Sequence, residues 1–564
     1  MAEASKEQEA GADDQTLGAV VGVKVLLLSQ MSSRLLTFFL NLAVARLLTP
    51  EEYGMVSIQF HLINTTILML SREGFRRGCL VAAGTTKQRD SGQSSTCSRP
   101  AVVPEAAIMP IAVLVIPCGV LVTVAIALLT AAFSEQHTPE QVTLVGIQSL
   151  AALIELLGEP LYIVAQARLM FRLRVTVEGF SQVAKAVVTL ALLAYLGGHS
   201  AGLAISLAQL AYGSCATAAY TWAFRAELLP MAGAAARWRS APVGGEVQEQ
   251  HDRSHLVRMC GGFSLQAVEK LVLAEGSKLV MAAVESSYNQ GVYGMVSNLG
   301  SLVVRLVFQP LEEGAFTAFV AGSKSFRNTA TQSSSTDRSA PGAAAARLAS
   351  VAHGMMKVAA LVGLVIASFG PAYSYTALRL VYGRRWSESE APTALGAYAM
   401  YVALLAVNGV SEAFTHAVGS EKQLHMANAA LVVFGVTHML LSFILCQAAG
   451  TLGLIAADAV GMVLRICYSL WFMRHFFRDY PQVRIWQWVP HPLVLLTSVV
   501  SAIIGLASKH WVVGQHIEAG YMPRTALHVS VGICLLLLCV AIIYETDGPQ
   551  LMGILRSHKV AKSE

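Results

Sequence analysis

Apolar segments long enough to cross a membrane alternate with short polar turns along the whole chain. Runs such as 110–132, 429–446 and 526–544 contain no Asp, Glu, Lys or Arg. They approach or exceed the roughly 17–25 residues that a helix needs to cross hydrocarbon. Bounding each run by its polar turns, and admitting the weaker amphipathic ones, predicts about fourteen helices, from 20–48 and 53–81 to 486–510 and 524–546. The chain is therefore expected to be an all-α polytopic membrane protein.

A repeat orders these helices. The pentapeptide Tyr-Gly-Met-Val-Ser stands at 53–57 and again at 293–297, each copy preceded by an apolar run and a short polar turn. Self-similarity at such a distance marks a duplicated fold. It predicts two pseudo-symmetric six-helix halves at 20–224 and 257–476, joined by a cytosolic linker at 225–256. Two additional helices at 486–546 and tails at 1–19 and 547–564 complete the expected organisation. Six spans per half return the chain to the same side, so the repeat is expected to be parallel, with a central binding site between the halves.

Composition supports the membrane reading: 54% of residues are hydrophobic and 13% charged, where a soluble protein carries about 25% charge. Cations place the even-numbered loops in the cytosol, with Arg76, Arg77, Lys87 and Arg89 after helix two, Arg168, Arg172 and Arg174 after helix four, and Arg474, Arg478 and Arg484 after helix twelve. Both termini are then expected to be cytosolic. Arg379, Arg384 and Arg385 are an exception, balanced by Glu388 and Glu390. The acidic N-terminus predicts no removable signal peptide. Nine cysteines, mostly inside apolar spans, argue against a disulfide framework. The loops 87–102, 231–251 and 322–346 are low in complexity and are expected to be disordered.

No nucleotide-binding loop, His-Glu-x-x-His or paired Cys-x-x-Cys occurs, so neither a cofactor, a metal, a catalytic residue nor a nucleic-acid partner is implied, and an enzyme is disfavoured. What remains are polar residues inside apolar helices, each expensive enough to require a partner or a watery cavity. Ser297, Ser301, Arg305, Gln309 and Glu313 recur every four residues and form one stripe. Helix two carries Ser57, His61 and Thr65, ending at Arg72 and Glu73. Helix one offers Gln30, Arg34, Thr37 and Asn41, with Arg46 further on, and helix twelve sets Asp458 and Arg465 on one side. Together they predict a common, net-cationic chamber. The alternative for Arg305 is a structural ion pair with Glu275 or Glu285, and for Arg46 a side chain that snorkels to the interface. Glu155 and Glu159, at i and i+4, repel unless a cation or a hydroxyl-rich ligand lies between them.

The segments Ser71-Arg-Glu-Gly-Phe-Arg-Arg77, Gln290-Gly-Val-Tyr293, Asn298 through Glu313 and Asn408-Gly-Val-Ser-Glu-Ala-Phe414 resemble the eukaryotic Rft1 family over nearly the whole chain. The resemblance implies the fold of the multidrug/oligosaccharidyl-lipid/polysaccharide exporter superfamily, shared with the bacterial peptidoglycan-precursor flippase. It implies the endoplasmic reticulum membrane as location. The implied partners are the bilayer and a dolichol-linked oligosaccharide, the pentamannosyl chitobiosyl diphosphodolichol intermediate of N-glycosylation, moved to the lumenal leaflet; no protein partner is indicated. Such a head group is a polyanion rich in hydroxyls, which suits arginines near carboxylates and amides. Arg34, Arg46, Arg72, Arg305 and Arg465 are accordingly assigned to the diphosphate, and Glu275, Asn298, Gln309 and Glu312 to glycan positioning. A cation-coupled antiporter of the same superfamily is disfavoured because the first helix lacks carboxylates. A non-transporting chaperone or scaffold remains an alternative.

Overall fold

The computed structural model describes residues 38–90, 105–132, 139–168, 170–196, 200–228, 230, 233, 247–332, 339–480, 483, 485–513 and 521–553. Every regular element among them is helical. Ten helices are long and apolar enough to span a bilayer, and the chain is a multi-pass membrane protein. In chain order the principal helices are α1 (Phe38–Leu47), α2 (Pro50–Leu80), α3 (Ile108–Leu129), α4 (Pro139–Ala167), α5 (Phe171–Leu196), α6 (Ala201–Ala223) and α7 (Val247–Val284). They continue with α8 (Ser287–Thr329), α9 (Gly342–Val381), α10 (Ala391–Val418), α11 (Glu421–Phe476), α12 (Pro492–Val512) and α13 (Pro523–Thr546). Within α11 the backbone leaves helical geometry at Ala449 and at Gly450, where φ is +54°, a conformation that favours glycine. That break divides α11 into two arms.

The polar turns before the repeated pentapeptide are helix caps. Thr49 and Glu52 form a reciprocal box, the Thr49 amide donating to Glu52 Oε2 at 2.8 Å and the Glu52 amide to Thr49 Oγ1 at 3.3 Å. Pro50 occupies the first helical turn, where no amide hydrogen is needed. Before the second copy, Ser286 accepts from the Asn289 amide at 3.3 Å.

The chain divides into two compact units, Met1–Leu48 with Met55–Gly276, and Thr49–Gly54 with Ser277–Glu564. In the first, Ile67, Ile111, Val115, Ala152, Leu156, Ile163 and Val164 form a sealed core. The second is centred on large buried rings and apolar chains, with Phe319 against Phe414 at 5.3 Å and Tyr53 against Trp386 at 5.5 Å. Leu121 and Leu440 remain 72% and 63% exposed, as side chains facing lipid do, because hydrocarbon solvates them as well as a core would.

Inside the second unit the start of α2 meets the start of α8 at backbone distance. A Cβ on Gly54 would lie 2.7 Å from the Gly291 amide nitrogen, and one on Gly291 would run into the Pro50 carbonyl. Gly291→Ala is therefore expected to destabilise the protein by about 1–3 kcal/mol, the usual cost of overpacking, read as a lowered thermal midpoint in detergent. A midpoint equal to the parent's would mean that this crossing is loose.

The expectation of disordered loops needs correction. Within 322–346 the described residues are helical: helix continues to Gln332 and resumes at Ser339, with Ser323, Ala344 and Ala345 buried. Its Ala-rich stretch reads as low complexity, yet Ala is the strongest helix former. Likewise helix extends through 87–90 and begins again at 247. The basic exception at Arg379 and Arg384 is tied down locally, both guanidiniums bonding to Glu388 Oε1 at 3.1 and 2.7 Å. The Arg384 hydrogen bond holds the Glu388 carboxyl below its ordinary range.

Candidate functional site

The end of α2 carries small residues on one face and cations on another. Gly74 and Gly78, four apart, let α7 approach: a Cβ on Gly74 would lie 2.7 Å from the Ser264 amide, and one on Gly78 would strike the Cys260 sulfur. Small residues at this spacing bring membrane helices close. Arg72 and Arg76 lie on the same two turns and meet α4. Arg72 Nη1 donates to Glu155 Oε1 at 2.8 Å and lies 3.8 Å from Glu159 Oε2. The Arg76 guanidinium forks onto Glu159, with Nη2 2.8 Å from Oε2 and Nε on Oε1, and lies 3.8 Å over the Tyr162 ring. Arg174 lies over the same ring at 4.8 Å. Glu159 is 3% exposed and Arg76 20%, so this is a nearly buried ion pair. The repelling carboxylates at i and i+4 do have cations between them.

Beside these pairs is a cavity of about 250 Å³, lined from α4 by Glu155, Glu159 and Tyr162, from α5 by Glu178 and from α6 by Tyr212 and Tyr220. Deeper along α5 and α6, Lys185 donates to Gln209 Oε1 at 2.6 Å. Arg76, Glu155, Glu159 and the tyrosines were not among the assigned site residues. In the sequence Arg76 reads as a cytosolic cation, the glutamates are marked by their spacing, and the tyrosines by nothing.

In the second unit the α8 stripe is continuous. Ser301 donates to the Asn298 carbonyl at 3.1 Å, and Arg305 donates from Nε to the Ser301 carbonyl at 3.2 Å and from Nη2 to Ser301 Oγ at 3.0 Å. Its Nη2 is also 3.5 Å from Asn298 Oδ1. The turn Val304–Phe308 is π-helical, a widening common at functional sites. Asn298 Nδ2 reaches Tyr53 Oη at 3.3 Å, and Gln309 donates to Glu313 Oε1 at 3.2 Å. The Glu312 carboxylate lies against Gly409 of α10. Arg465 bonds Glu412 Oε1 at 3.0 Å.

Asp458, set on the same side of its helix as Arg465 by spacing, has partners of its own. Its carboxylate accepts from Ser277 at 2.6 Å and Tyr293 at 3.1 Å, and lies 2.8 Å from His438 Nε2. Of the remaining assigned residues, Arg46 is exposed near the end of α1 and Glu275 is 3.2 Å from His61 Nε2. Arg34 lies outside the described residues. The structure thus joins Arg305 to Asn298, places Arg46, Arg72 and Glu275 in the first unit, and places Gln309, Glu312 and Arg465 in the second.

A family model described as Rft protein matches residues 19–556. The Man(5)GlcNAc(2)-PP-dolichol translocation protein RFT1 of Mus musculus is 31% identical over 90% of this chain and 91% of its own length. Its namesake in Dictyostelium discoideum is 27% identical over 93% and 94%. Among solved structures, the lipid II flippase MurJ in an inward closed conformation covers 92% of this chain and 98% of its own, at TM-score 0.56 and 13% identity. An inward-facing multidrug resistance MATE family transporter covers 80% and 96%, at TM-score 0.51 and 12% identity. Those two share the fold, and by the match along nearly its whole length this chain belongs to the Rft protein family.

Proposed function

We propose that this protein moves the pentamannosyl chitobiosyl diphosphodolichol intermediate from the cytosolic to the lumenal leaflet of the endoplasmic reticulum membrane, without enzymatic chemistry. The observation that carries the reading is the arginine stripe of α8, a cation with amide and hydroxyl neighbours inside a membrane helix, in a chain whose relatives are named for translocating that glycolipid. An intramembrane arginine is costly and marks a substrate path, and its planar fork suits a diphosphate. Arg305 and Arg465 are our assignment for the diphosphate, with Asn298, Gln309 and Glu312 near them for the glycan. The polyprenol tail stays in lipid while the head group crosses.

Taking α1, α6 and α7 with the ten long apolar helices, and α11 as two arms, yields fourteen spans. Six then fall in each pseudo-symmetric half and two follow. On this count both termini and the ends of α6 and α8 face the cytosol. Ala226→Cys and Thr329→Cys are accordingly expected to react with an impermeant maleimide from the cytosolic side only, and lumenal labelling of either would overturn the count.

The scaffold reading has one observation in its favour: Arg72, Arg76 and Arg465 each bond a carboxylate of the chain itself, as structural ties do. The test that addresses function is complementation. Cells depleted of their own family member should regain full-length N-glycans on expressing this chain, and unchanged underglycosylation at normal expression would refute the assignment.

A further inference from the structure

We infer that the cavity walled by α4, α5 and α6 beside Arg72 and Arg76 is a sugar subsite, holding one neutral pyranose ring of the glycan and not the diphosphate; this rests on the substrate class proposed above. At about 250 Å³ it falls below the roughly 300 Å³ where drug-sized pockets begin. That leaves room for a single ring and not for the branched glycan.

The charges at its wall are unsuited to phosphate. Its two lining cations are both engaged, Arg72 with Glu155 and Arg76 with Glu159. A phosphate drawing either arginine away would strand a carboxylate, and Glu159 is 3% exposed, a site where an unpaired charge is strongly unfavourable. Glu178 adds a third lining carboxylate, with no ion pair among the described residues. The lining therefore carries more acid than base, which repels an anion and accepts hydroxyl protons.

The remaining wall has the other half of sugar-binding chemistry. Tyr220 is 4% exposed, and its hydroxyl has no hydrogen-bond partner among the described residues. Buried hydroxyls are nearly always bonded, so an unpaired one on a cavity wall marks a contact for a hydroxyl-bearing ligand. The half-buried ring of Tyr212 offers an apolar face with a polar tip, matching a pyranose that has an apolar face and a rim of hydroxyls. Glu178, able to accept from two neighbouring hydroxyls with charge-assisted strength, would set its orientation.

The test uses the purified full chain in nanodiscs and free pentamannosyl chitobiose, with neither lipid nor diphosphate, followed by saturation-transfer NMR and calorimetry. The wild type is expected to bind the free glycan, and inorganic diphosphate is expected not to displace it. Tyr220→Phe removes an unpaired hydroxyl, so the thermal midpoint should hold or rise while glycan affinity falls about two- to tenfold. Glu178→Gln is expected to weaken it by about tenfold or more. Absence of glycan binding to the wild type, displacement by diphosphate, or wild-type affinity in both variants would overturn the subsite. If both variants also move the labelled glycolipid between leaflets at the wild-type rate, the subsite fails while the transport reading stands. If the glycan binds as expected but no glycolipid crosses, transport fails and the subsite stands.

Discussion

Arg76→Ala is expected to remove the protein from the membrane rather than slow its transport. The substitution leaves Glu159, 3% exposed, as a buried carboxylate whose nearest remaining guanidinium, Arg72, is 3.8 Å away and bonded to Glu155. Breaking one side of a buried pair costs about 3–5 kcal/mol, against a total folding stability of about 5–15 kcal/mol for a typical domain. Arg76 also packs on Tyr162 at 3.8 Å, so the loss includes a cation–π contact. The double variant Arg76→Met, Glu159→Leu is expected to recover abundance, because exchanging a whole buried pair for apolar side chains is often neutral or stabilising. Immunoblot abundance and the detergent thermal midpoint decide it. A single variant as abundant as the parent would show that water reaches Glu159 freely.

Arg305→Ala is expected to do the reverse, abolishing translocation at ordinary abundance. The bonds from Arg305 to Ser301 and Asn298 run to neutral groups of its own helix, and losing each costs on the order of 1 kcal/mol. A diphosphate gripped by a bidentate fork loses two charge-assisted bonds of about 1.5–3 kcal/mol each, or more than about 100-fold in transport. Arg305→Lys keeps the charge and loses the fork, so it should restore only part of the activity. Both are measured as N-glycan occupancy beside protein abundance in complemented cells. Collapse of abundance would mark Arg305 as a structural tie, and normal occupancy would take α8 out of the substrate path.

Periodicity made faces legible and left partners hidden. The four-residue recurrence from Ser297 to Glu313 placed Arg305 beside Ser301, as observed, because those contacts lie within one helix. Glu155 and Glu159 were legible as needing a cation, yet the cation comes from α2, 83 positions away in the chain. Lateral packing of helices is not written in the spacing of one helix. For the same reason the spacing set Asp458 and Arg465 on one side of a helix without naming the partners of Asp458, which are Ser277, Tyr293 and His438. The turn before the first pentapeptide, read only as a polar break, is a box between Thr49 and Glu52, a contact that spacing within one turn can specify. Composition misled at 322–346, where an Ala-rich stretch looked unstructured and is helical.

The most direct test of transport uses the pure chain alone. Reconstituted into vesicles with the fluorescently labelled pentamannosyl chitobiosyl diphosphodolichol in both leaflets, it should expose the inner pool to a membrane-impermeant glycan-binding protein. Arg305→Ala vesicles should protect that pool as empty vesicles do. Protection equal to empty vesicles with the wild type, from preparations that are folded by thermal midpoint, would contradict translocation by this protein and leave the scaffold reading in its place.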